Sequence, residues 1–332
     1  MTLGRALKNL GHQVVFASDE LHEPHDFKFF PLPIHRANTS YWGRLKNILA
    51  LRKLIKEESI DVIHSHSRAA NLIAHLANRA PYVTTVHGRW RNTFAFRKFS
   101  CLGRRTIAMC PYLLRYLTQD IGIADTQVRM VPNGVDCARF SPAPPHAAVV
   151  SSKPVILYVG RSTGQKGQTL RFLSEKVMKE VLLNFPDIEF KTLTESSTSS
   201  PSSMPEIYRS ASVVVGAGRV VLEALASGVP AVALGESSAL GLLTEENFEQ
   251  AFDSNFGDCG EWNLFLGKEG RLIEDFKRVL SDLALRKKLS QWGREIIIKK
   301  FDAEKITPEI LKVYEEAAPT SLSCSSERNL LK

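Results

Sequence analysis

The segment from residue 213 to residue 236 constrains the fold of this chain more than any other. It contains an apolar run, a glycine-rich turn, a short amphipathic stretch with one acid, and a second apolar run. Apolar runs of this length on either side of a short helical pattern predict a buried strand, a helix and a second buried strand of an α/β sheet. A chain of 332 residues is long enough for two such domains.

The glycine turn in this segment predicts a nucleotide-binding site. Gly216 and Gly218 carry no Cβ, so a phosphate can approach the backbone, and the helix that follows points free N–H groups at it. Glu223, one turn into that helix, is placed to accept hydrogen bonds from ribose hydroxyls. A dinucleotide dehydrogenase would need G-x-G-x-x-G, and Val221 occupies the third position, although Glu236 stands where its ribose-binding acid is expected.

Strand-like apolar runs alternate with helical patterns in both halves of the chain, which predicts parallel sheets with crossover helices. These runs cover residues 13–17, 61–64, 82–86, 106–109, 128–131 and 154–159. The proline-rich stretch 140–148 interrupts the alternation. We therefore predict a first domain at 1–148, a second at 149–302, a helix at 303–318 that crosses back to the first domain, and a tail at 319–332.

The composition indicates where in the cell the protein is expected and what its cysteines do. No run of about 18 apolar residues occurs, and the first residues lack the pattern of a signal peptide, so a cytoplasmic protein is expected. Five cysteines at irregular spacing, without a Cys-x-x-Cys pair, indicate neither a disulfide framework nor a zinc site.

Positive charge is concentrated in the first half of the chain. Residues 1–150 hold 20 Lys and Arg against 10 Asp and Glu, whereas residues 151–332 hold 23 against 25. Cationic and aromatic residues interleave at 87–105, a mixture that suits a membrane interface or an anionic glycolipid. A solvated basic face with core aromatics is an equal alternative. No RNA-binding signature accompanies the charge, so a nucleic-acid partner is not expected.

Several separate motifs resemble those of the retaining family 4 glycosyltransferases of the GT-B superfamily. The run from Gly218 to Pro230, Gly-x(4)-Glu-Ala-x-Ala-x-Gly-x-Pro, is similar to the signature of their nucleotide site. A dehydrogenase explains none of the other matches. These are Asp61-Val-Ile-His-Ser-His66, Thr84-Thr-Val-His87-Gly88, Val131-Pro-Asn-Gly-Val-Asp136, Leu157-Tyr-Val-Gly-Arg161 with Lys166-Gly167, and Met204-Pro-Glu-Ile-Tyr208.

The resemblance implies an α/β chain of the GT-B type, with two Rossmann-like, doubly wound parallel-sheet domains facing a cleft. It also implies transfer of a sugar from a nucleotide-diphosphate donor with retention of configuration. The donor residues that it implies are Arg161 and Lys166 for the diphosphate, Gly216 and Gly218 for the phosphates, Arg219 beside them, and Glu223 for the ribose. His87 is expected to be catalytic beside the transferred sugar, and the candidates on the acceptor side are His66, Gly88 and Arg89.

No Asp-x-Asp occurs in the sequence, which favours charge neutralisation by Arg161 and Lys166 without a metal ion. No cofactor is expected beyond the nucleotide sugar itself. The family suggests a bacterial cell-envelope glycan or glycolipid as acceptor, such as lipopolysaccharide. It also suggests a position on the inner face of the membrane, which the basic first domain would contact.

Two departures from the family pattern keep other functions open. Compared with the family pattern, the sequence is expected to begin inside the first crossover helix, without the first strand and its glycine-rich loop. Val215 stands where many family members carry the first acid of a Glu-x(7)-Glu pair. That acid is associated with the sugar in the family, so its role here would fall to the backbone of residues 216–218 and to Arg219. The alternatives are a catalytically inactive GT-B remnant that binds nucleotide or an anionic partner, and a nucleotide-sugar epimerase.

Overall fold

The computed structural model describes residues 1–20, 26–34, 40–90, 93, 101–143, 153–195, 197, 203–261 and 267–318. They divide into two compact units, one formed by the described parts of Leu3–Pro132 and Ile306–Lys332 and the other by the described part of Asn133–Lys305. The second unit thus begins before the boundary predicted at 148, because Val135 and Phe140 are buried in its core. The proline-rich stretch at 140–148 marks a change in composition. The chain begins to pack against the second unit earlier, at Asn133.

The first unit is built on parallel strands. Its strands are β1 (Val15–Ser18), β2 (Lys28–Pro31), β3 (Ile63–Ser65), β4 (Tyr82–Val86), β5 (Arg105–Ala108) and β6 (Val128–Met130). The strands β1 and β2 pair with each other, and β3 to β6 form a second sheet in chain order. Its helices are α1 (Thr2–Asn9), α2 (Tyr41–Glu57), α3 (Arg68–Ala77) and α4 (Pro111–Arg115), the last continued by a π-helical turn at Tyr116–Asp120.

The second unit has one five-stranded sheet. Its strands are β7 (Val155–Val159), β8 (Glu189–Leu193), β9 (Val213–Gly216), β10 (Ala231–Leu234) and β11 (Ala239–Leu242), in the order β11-β10-β9-β7-β8. All pairs are parallel except β10 with β11. Its helices are α5 (Gly164–Phe172), α6 (Lys179–Asn184), α7 (Met204–Arg209), α8 (Arg219–Ala226), α9 (Phe248–Asp253), α10 (Glu269–Ser281) and α11 (Leu283–Lys300).

The last described helix, α12 (Ala303–Ala317), returns to the first unit from Ile306 onward. Its apolar side chains Ile306, Ile310 and Val313 share a buried cluster with Val83 of β4 and Ile107 of β5. Near its end, Glu316 forms ion pairs of 2.8 Å with Arg105 and 2.9 Å with Arg129. The helix therefore completes the core of a sheet that lies far upstream in the sequence.

Each of the six predicted apolar runs overlaps an observed strand, and the prediction of an α/β fold with parallel sheets is confirmed. The agreement follows from burial, since β4 and β9 are buried on both faces and such strands read as continuous apolar runs. Within the part of the chain that the structure describes, no helix is both long and apolar enough to span a membrane.

Candidate functional site

The glycine turn lies between β9 and α8, as predicted from the sequence. Its two glycines are required for different reasons. A Cβ on Gly216 would lie 2.5 Å from Val220 Cγ1, so close packing of the helix against the strand excludes a side chain there. Gly218 has φ +56°, a left-handed conformation that side chains rarely adopt. The turn brings the start of α8 to the carboxyl end of the sheet, where open α/β sheets bind ligands.

A loop at residues 254–258, which the sequence did not single out, covers this turn. The Gly218 N–H donates to the carbonyl of Asn255 at 3.1 Å. A Cβ on Gly218 would lie 3.0 Å from both Asn255 Nδ2 and Asp258 Oδ2. The space that we expected a phosphate to enter is therefore lined by polar groups of the chain itself, and one N–H of the turn is already used.

Lys166 and Arg161 lie close to two acids. Lys166 is in the first turn of α5, and its Nζ lies 2.9 Å from Asp258 Oδ2. Burial and the Asp258 carboxylate raise the pKa of Glu236, which follows β10, while Lys166 and Arg161 oppose the rise. The other oxygen of Asp258, Oδ1, is buried and has no hydrogen-bond partner among the described residues. Two cations and two acids thus share this end of the sheet.

The loop after β7 already binds an anionic group of the chain, the carboxylate of Glu195. The Glu195 carboxylate accepts hydrogen bonds from the backbone N–H of Ser162 at 2.7 Å and from the Thr163 hydroxyl at 2.9 Å. The hydrogen bond from the Ser162 backbone is the main reason that the pKa of Glu195 falls to about 2. This loop therefore has donors arranged for an anion, and Glu195 would compete for them with a phosphate.

Glu223 is buried in α8, and both of its carboxylate oxygens have partners. Oε2 accepts from the Tyr208 hydroxyl at 3.1 Å, and Oε1 pairs with Arg219 Nε at 2.5 Å. Burial and the neighbouring Glu223 charge raise the pKa of Tyr208 well above its usual value. Each carboxylate oxygen can accept a second hydrogen bond, so Glu223 keeps acceptor capacity for a ribose hydroxyl. The sequence motif included Tyr208 but gave it no role.

The carboxyl ends of β3 and β4 bring three histidines together in the first unit. His66 Nδ1 and His87 Nε2 lie 2.9 Å apart, with their rings stacked. His64 is held through both nitrogens, by the Tyr314 hydroxyl and by the Thr85 hydroxyl, each at 2.7 Å. His64 therefore has a structural role, whereas the pair of His66 and His87 is exposed to solvent.

The predicted acceptor residues Gly88 and Arg89 follow His87 directly. A Cβ on Gly88 would meet nothing within 4 Å, so packing does not require glycine there and the position is open. The Arg89 guanidinium lies 5.8 Å from the centroid of the Tyr116 ring, a cation–π contact that orients it. The candidates His66, His87, Gly88 and Arg89 thus lie at one end of one sheet.

Only part of the basic and aromatic stretch at 87–105 can be placed. Residues 91–92 and 94–100 lie outside the described residues. Arg104 donates to the carbonyl of Ala317 at 3.1 Å, and Arg105 pairs with Glu316, so both cations hold α12 in place. These two arginines are therefore structural, and the membrane contact expected of this stretch stays a prediction.

The histidine cluster predicts a pH-dependent stability. Burial first, then the neighbouring histidines, lowers the pKa of His64 well below its usual value of 6.5. Desolvation by the surrounding protein atoms and the nearby His87 lower the pKa of His66 to about 4. Between pH 6.5 and 4 the unfolded chain binds more protons than the folded chain, so stability is full above this window and falls as pH falls through it.

Thermal unfolding measured at pH values between 7.5 and 5 checks this expectation. The melting temperature is expected to decrease as the pH is lowered, and the decrease per pH unit is expected to become larger below about pH 6.5. His64→Gln keeps a polar side chain that cannot take up a proton, so its melting temperature is expected to depend less on pH. An equal slope for this variant and the original chain would show that His64 does not contribute.

Known proteins resemble both the sequence and the fold. Residues 1–139 match the model of the family described as Glycosyltransferase Family 4. A curated Escherichia coli protein, UDP-Gal:alpha-D-GlcNAc-diphosphoundecaprenol alpha-1,3-galactosyltransferase, is 26% identical over an alignment 136 positions long, which covers 34% of this chain and 33% of that protein. The chain therefore matches about a third of the length of this relative.

Solved structures match nearly the whole chain. A glycosyltransferase from Rickettsia africae has a TM-score of 0.68 at 20% identity, over 96% of this chain and 94% of that one. A UDP-GlcNAc 2-epimerase from Methanocaldococcus jannaschii has a TM-score of 0.51 at 12% identity, over 94% of both chains. At these identities the likeness shows the fold, which is GT-B. Both a glycosyltransferase and an epimerase match it, so the fold alone does not choose between the two activities.

Proposed function

We propose that this chain of GT-B fold, whose first 139 residues match family 4 glycosyltransferases, transfers a sugar from a nucleoside-diphosphate sugar to a cell-envelope glycan or glycolipid. The observation that carries the proposal is the grouping of Arg161 and Lys166 with the glycine turn at the carboxyl end of the second sheet. Fixed cations and helix N–H groups at one site suit a leaving diphosphate.

In the proposed donor site, each side chain or backbone group binds one part of the nucleotide sugar. Lys166 exchanges its Asp258 partner for the diphosphate, and Arg161 adds a second positive charge. The Gly218 N–H exchanges the Asn255 carbonyl for a phosphate, which the backbone at Gly216 and Gly218 then carries. Glu223, oriented by Tyr208, accepts hydrogen bonds from the ribose. These charges neutralise the leaving group without a metal ion, as the lack of an Asp-x-Asp motif favours.

On the acceptor side, His87 is proposed to contact the transferred sugar. The low pKa of its neighbour His66 keeps that ring neutral at physiological pH, so His66 offers His87 a hydrogen bond rather than a charge. Gly88 leaves open space beside His87, and Arg89 adds a cation for an anionic acceptor. The likeness to family 4 supports the further proposal that the configuration is retained without a protein nucleophile.

The curated relative supports a choice of first substrates. Its name describes transfer from UDP-Gal to a sugar linked through diphosphate to undecaprenol. UDP sugars and polyprenyl-diphosphate glycans are therefore the donors and acceptors to test first. A lipid-linked acceptor would place the protein on the inner face of the membrane.

Glu223→Gln tests the donor site. Replacement of the carboxylate by an amide of the same shape is expected to weaken UDP binding by roughly 10-fold or more, because hydrogen bonds to a charged group are the stronger ones. Calorimetric titration with UDP, GDP and ADP measures the change. Glu206→Gln is the matched control, since Glu206 is exposed and pairs only locally with Arg209. Unchanged affinity for all three nucleotides would remove the ribose assignment.

A radiolabelled transfer assay separates the proposed function from its alternatives. A glycosyltransferase moves label from the UDP sugar to the lipid-linked acceptor. An inactive remnant would bind UDP, with a raised melting temperature, but give no labelled product. An epimerase would convert the UDP sugar without any acceptor.

A further inference from the structure

The histidines at the carboxyl ends of β3 and β4 are joined to α12 by a buried hydrogen bond. The Tyr314 hydroxyl lies 2.7 Å from His64 Nδ1, and the two rings meet edge to face with their centroids 5.5 Å apart. Tyr314 is 6% exposed and belongs to the apolar cluster that α12 forms with β4 and β5. The last described helix of the chain therefore contacts the histidine cluster as well as the core of the first unit.

This hydrogen bond helps to fix the orientation of the His64 ring. The other ring nitrogen, Nε2, lies 2.7 Å from Thr85 Oγ1, so each nitrogen of His64 faces a hydroxyl. Burial lowers the pKa of His64 and raises the pKa of Tyr314, so both groups are neutral at physiological pH. A neutral imidazole has one donor and one acceptor nitrogen, and a hydroxyl can serve either. Rotation of the ring would break both hydrogen bonds in a buried place, where unpaired polar groups are costly.

His64 in turn contacts the exposed pair of His66 and His87 from both strands. Its ring centroid lies 4.3 Å from that of His66, with 31° between the ring planes. Its partner Thr85 stands two residues before His87 on the same strand. Because His66 Nδ1 lies 2.9 Å from His87 Nε2, the placement of the His64 ring determines how these two rings meet.

We propose that Tyr314 is a positioning residue for sugar transfer, which acts through His64 to hold His66 and His87 in the orientation that the transferred sugar requires. The proposal rests on the proposed function, in which His87 contacts that sugar. Orientation matters at such a contact, since a displacement of about 1 Å can reduce a rate by about 100-fold. A residue near the end of α12 thereby belongs to the acceptor side of the reaction.

Tyr82 provides a matched control for a purely structural role of Tyr314. The Tyr82 hydroxyl donates to the Cys101 carbonyl at 3.0 Å and lies 3.3 Å from His75 Nδ1. Tyr82 is 9% exposed and begins β4, so it lies at the opposite end of this strand from His87. Tyr82→Phe therefore removes a similarly buried hydroxyl that also contacts a histidine, at a distance from the proposed site.

Side-chain NMR of the isotope-labelled full chain tests the positioning without any need for activity. The chain has nine histidines, and their ring-nitrogen signals near neutral pH are assigned by replacing one histidine at a time by Gln. In Tyr314→Phe, the signals of His64, His66 and His87 are expected to shift, because the His64 ring loses one of its two partners. In Tyr82→Phe, all three signals are expected to stay unchanged.

Transfer kinetics give the second readout. Tyr314→Phe is expected to lower kcat roughly 3- to 30-fold and to change KM for donor and acceptor by less than about twofold, because orientation is lost rather than ground-state binding. Tyr82→Phe is expected to keep kcat, although both variants lower the melting temperature. The affinity for UDP is expected to stay unchanged in both variants, since the proposed donor site lies in the second unit.

A double variant tests whether Tyr314 acts through His64. In a His64→Leu chain the Tyr314 hydroxyl has no ring nitrogen to bind, so the addition of Tyr314→Phe is expected to change kcat no further. Additive losses of kcat would contradict this route. If the His64→Leu chain does not fold, the comparison of Tyr314→Phe with Tyr82→Phe still decides the question.

Unchanged signals of His66 and His87 in Tyr314→Phe would overturn the proposal, as would an equal loss of kcat in Tyr82→Phe. Shifted signals together with an unchanged kcat would also overturn it, since the reaction would then not depend on this orientation. If the unaltered chain transfers no sugar, the proposed function fails, and the NMR comparison still shows whether Tyr314 orients His87. The failure of either idea can therefore be recognised separately.

Discussion

Lys166→Met is expected to weaken UDP binding by roughly 10- to 100-fold, whereas Asp258→Asn is expected to strengthen it by up to about fivefold. The two changes act on one ion pair of 2.9 Å but in opposite directions. Loss of the lysine removes the cation that the diphosphate needs. Loss of the aspartate charge removes the anion that competes for that lysine, and it also removes repulsion of the incoming phosphates.

Changes of opposite sign in UDP affinity distinguish an ion pair that binds ligand from one that only stabilises the fold. If the pair only stabilised the fold, both variants would lower the melting temperature and neither would change the affinity of the folded protein. Isothermal titration with UDP and with uridine gives the affinities directly, and only the UDP values are expected to change. Lys277→Met is the matched control, because Lys277 is similarly exposed and pairs with Glu274 at 3.0 Å on α10. Reduced UDP affinity in Asp258→Asn would contradict the competition.

Gly235→Ala is expected to destabilise the second unit by about 3 kcal/mol, or about 6 to 12 °C in melting temperature. A Cβ on Gly235 would lie 2.2 Å from both the carbonyl carbon and the carbonyl oxygen of Gly257, and backbone atoms cannot rotate away. The same loop is fixed there by hydrogen bonds from Ser237 to the Gly257 carbonyl. The substitution would therefore displace the 254–258 loop that covers the glycine turn.

Gly270→Ala is the control for this prediction. A Cβ on Gly270 meets nothing within 4 Å, and the residue lies in the first turn of α10. Alanine is the better helix former by up to about 1 kcal/mol, so this variant is expected to be as stable as the unaltered chain or more so. Equal melting temperatures for Gly235→Ala and Gly270→Ala would show that the loop adjusts to the added methyl group.

The sequence predicted those features that depend on neighbouring residues. The strand β4 was found because all five of its residues are buried and apolar or β-branched. The turn at Gly216 and Gly218 was found because a glycine pair separates a buried strand from a helix. Local periodicity and the demands of a tight turn carry this information, so one segment was enough to recognise them.

Contacts between distant segments were not predictable in the same way. Nothing near Gly218 in the sequence indicates that Asn255 and Asp258 cover it, and nothing near Ser162 indicates that Glu195 accepts its N–H. Side-chain pairing across such separations depends on how loops are placed by the sheet. The role proposed for Lys166 came from a likeness to a family, and that of Glu223 from its place in the helix after the glycine turn as well. The structure adds the partners with which a ligand must compete.

The return of α12 to the first unit has a consequence for synthesis on the ribosome. Residues 133–305 are contiguous, so the second unit can fold as soon as it emerges. The first unit emerges earlier, yet Val83 and Ile107 lack their covering side chains until Ile306 to Val313 have been translated. His64 likewise waits for Tyr314, which is 250 residues downstream. The part of the chain that is made first is therefore the part that matures last, and it is exposed to chaperones and proteases in the meantime.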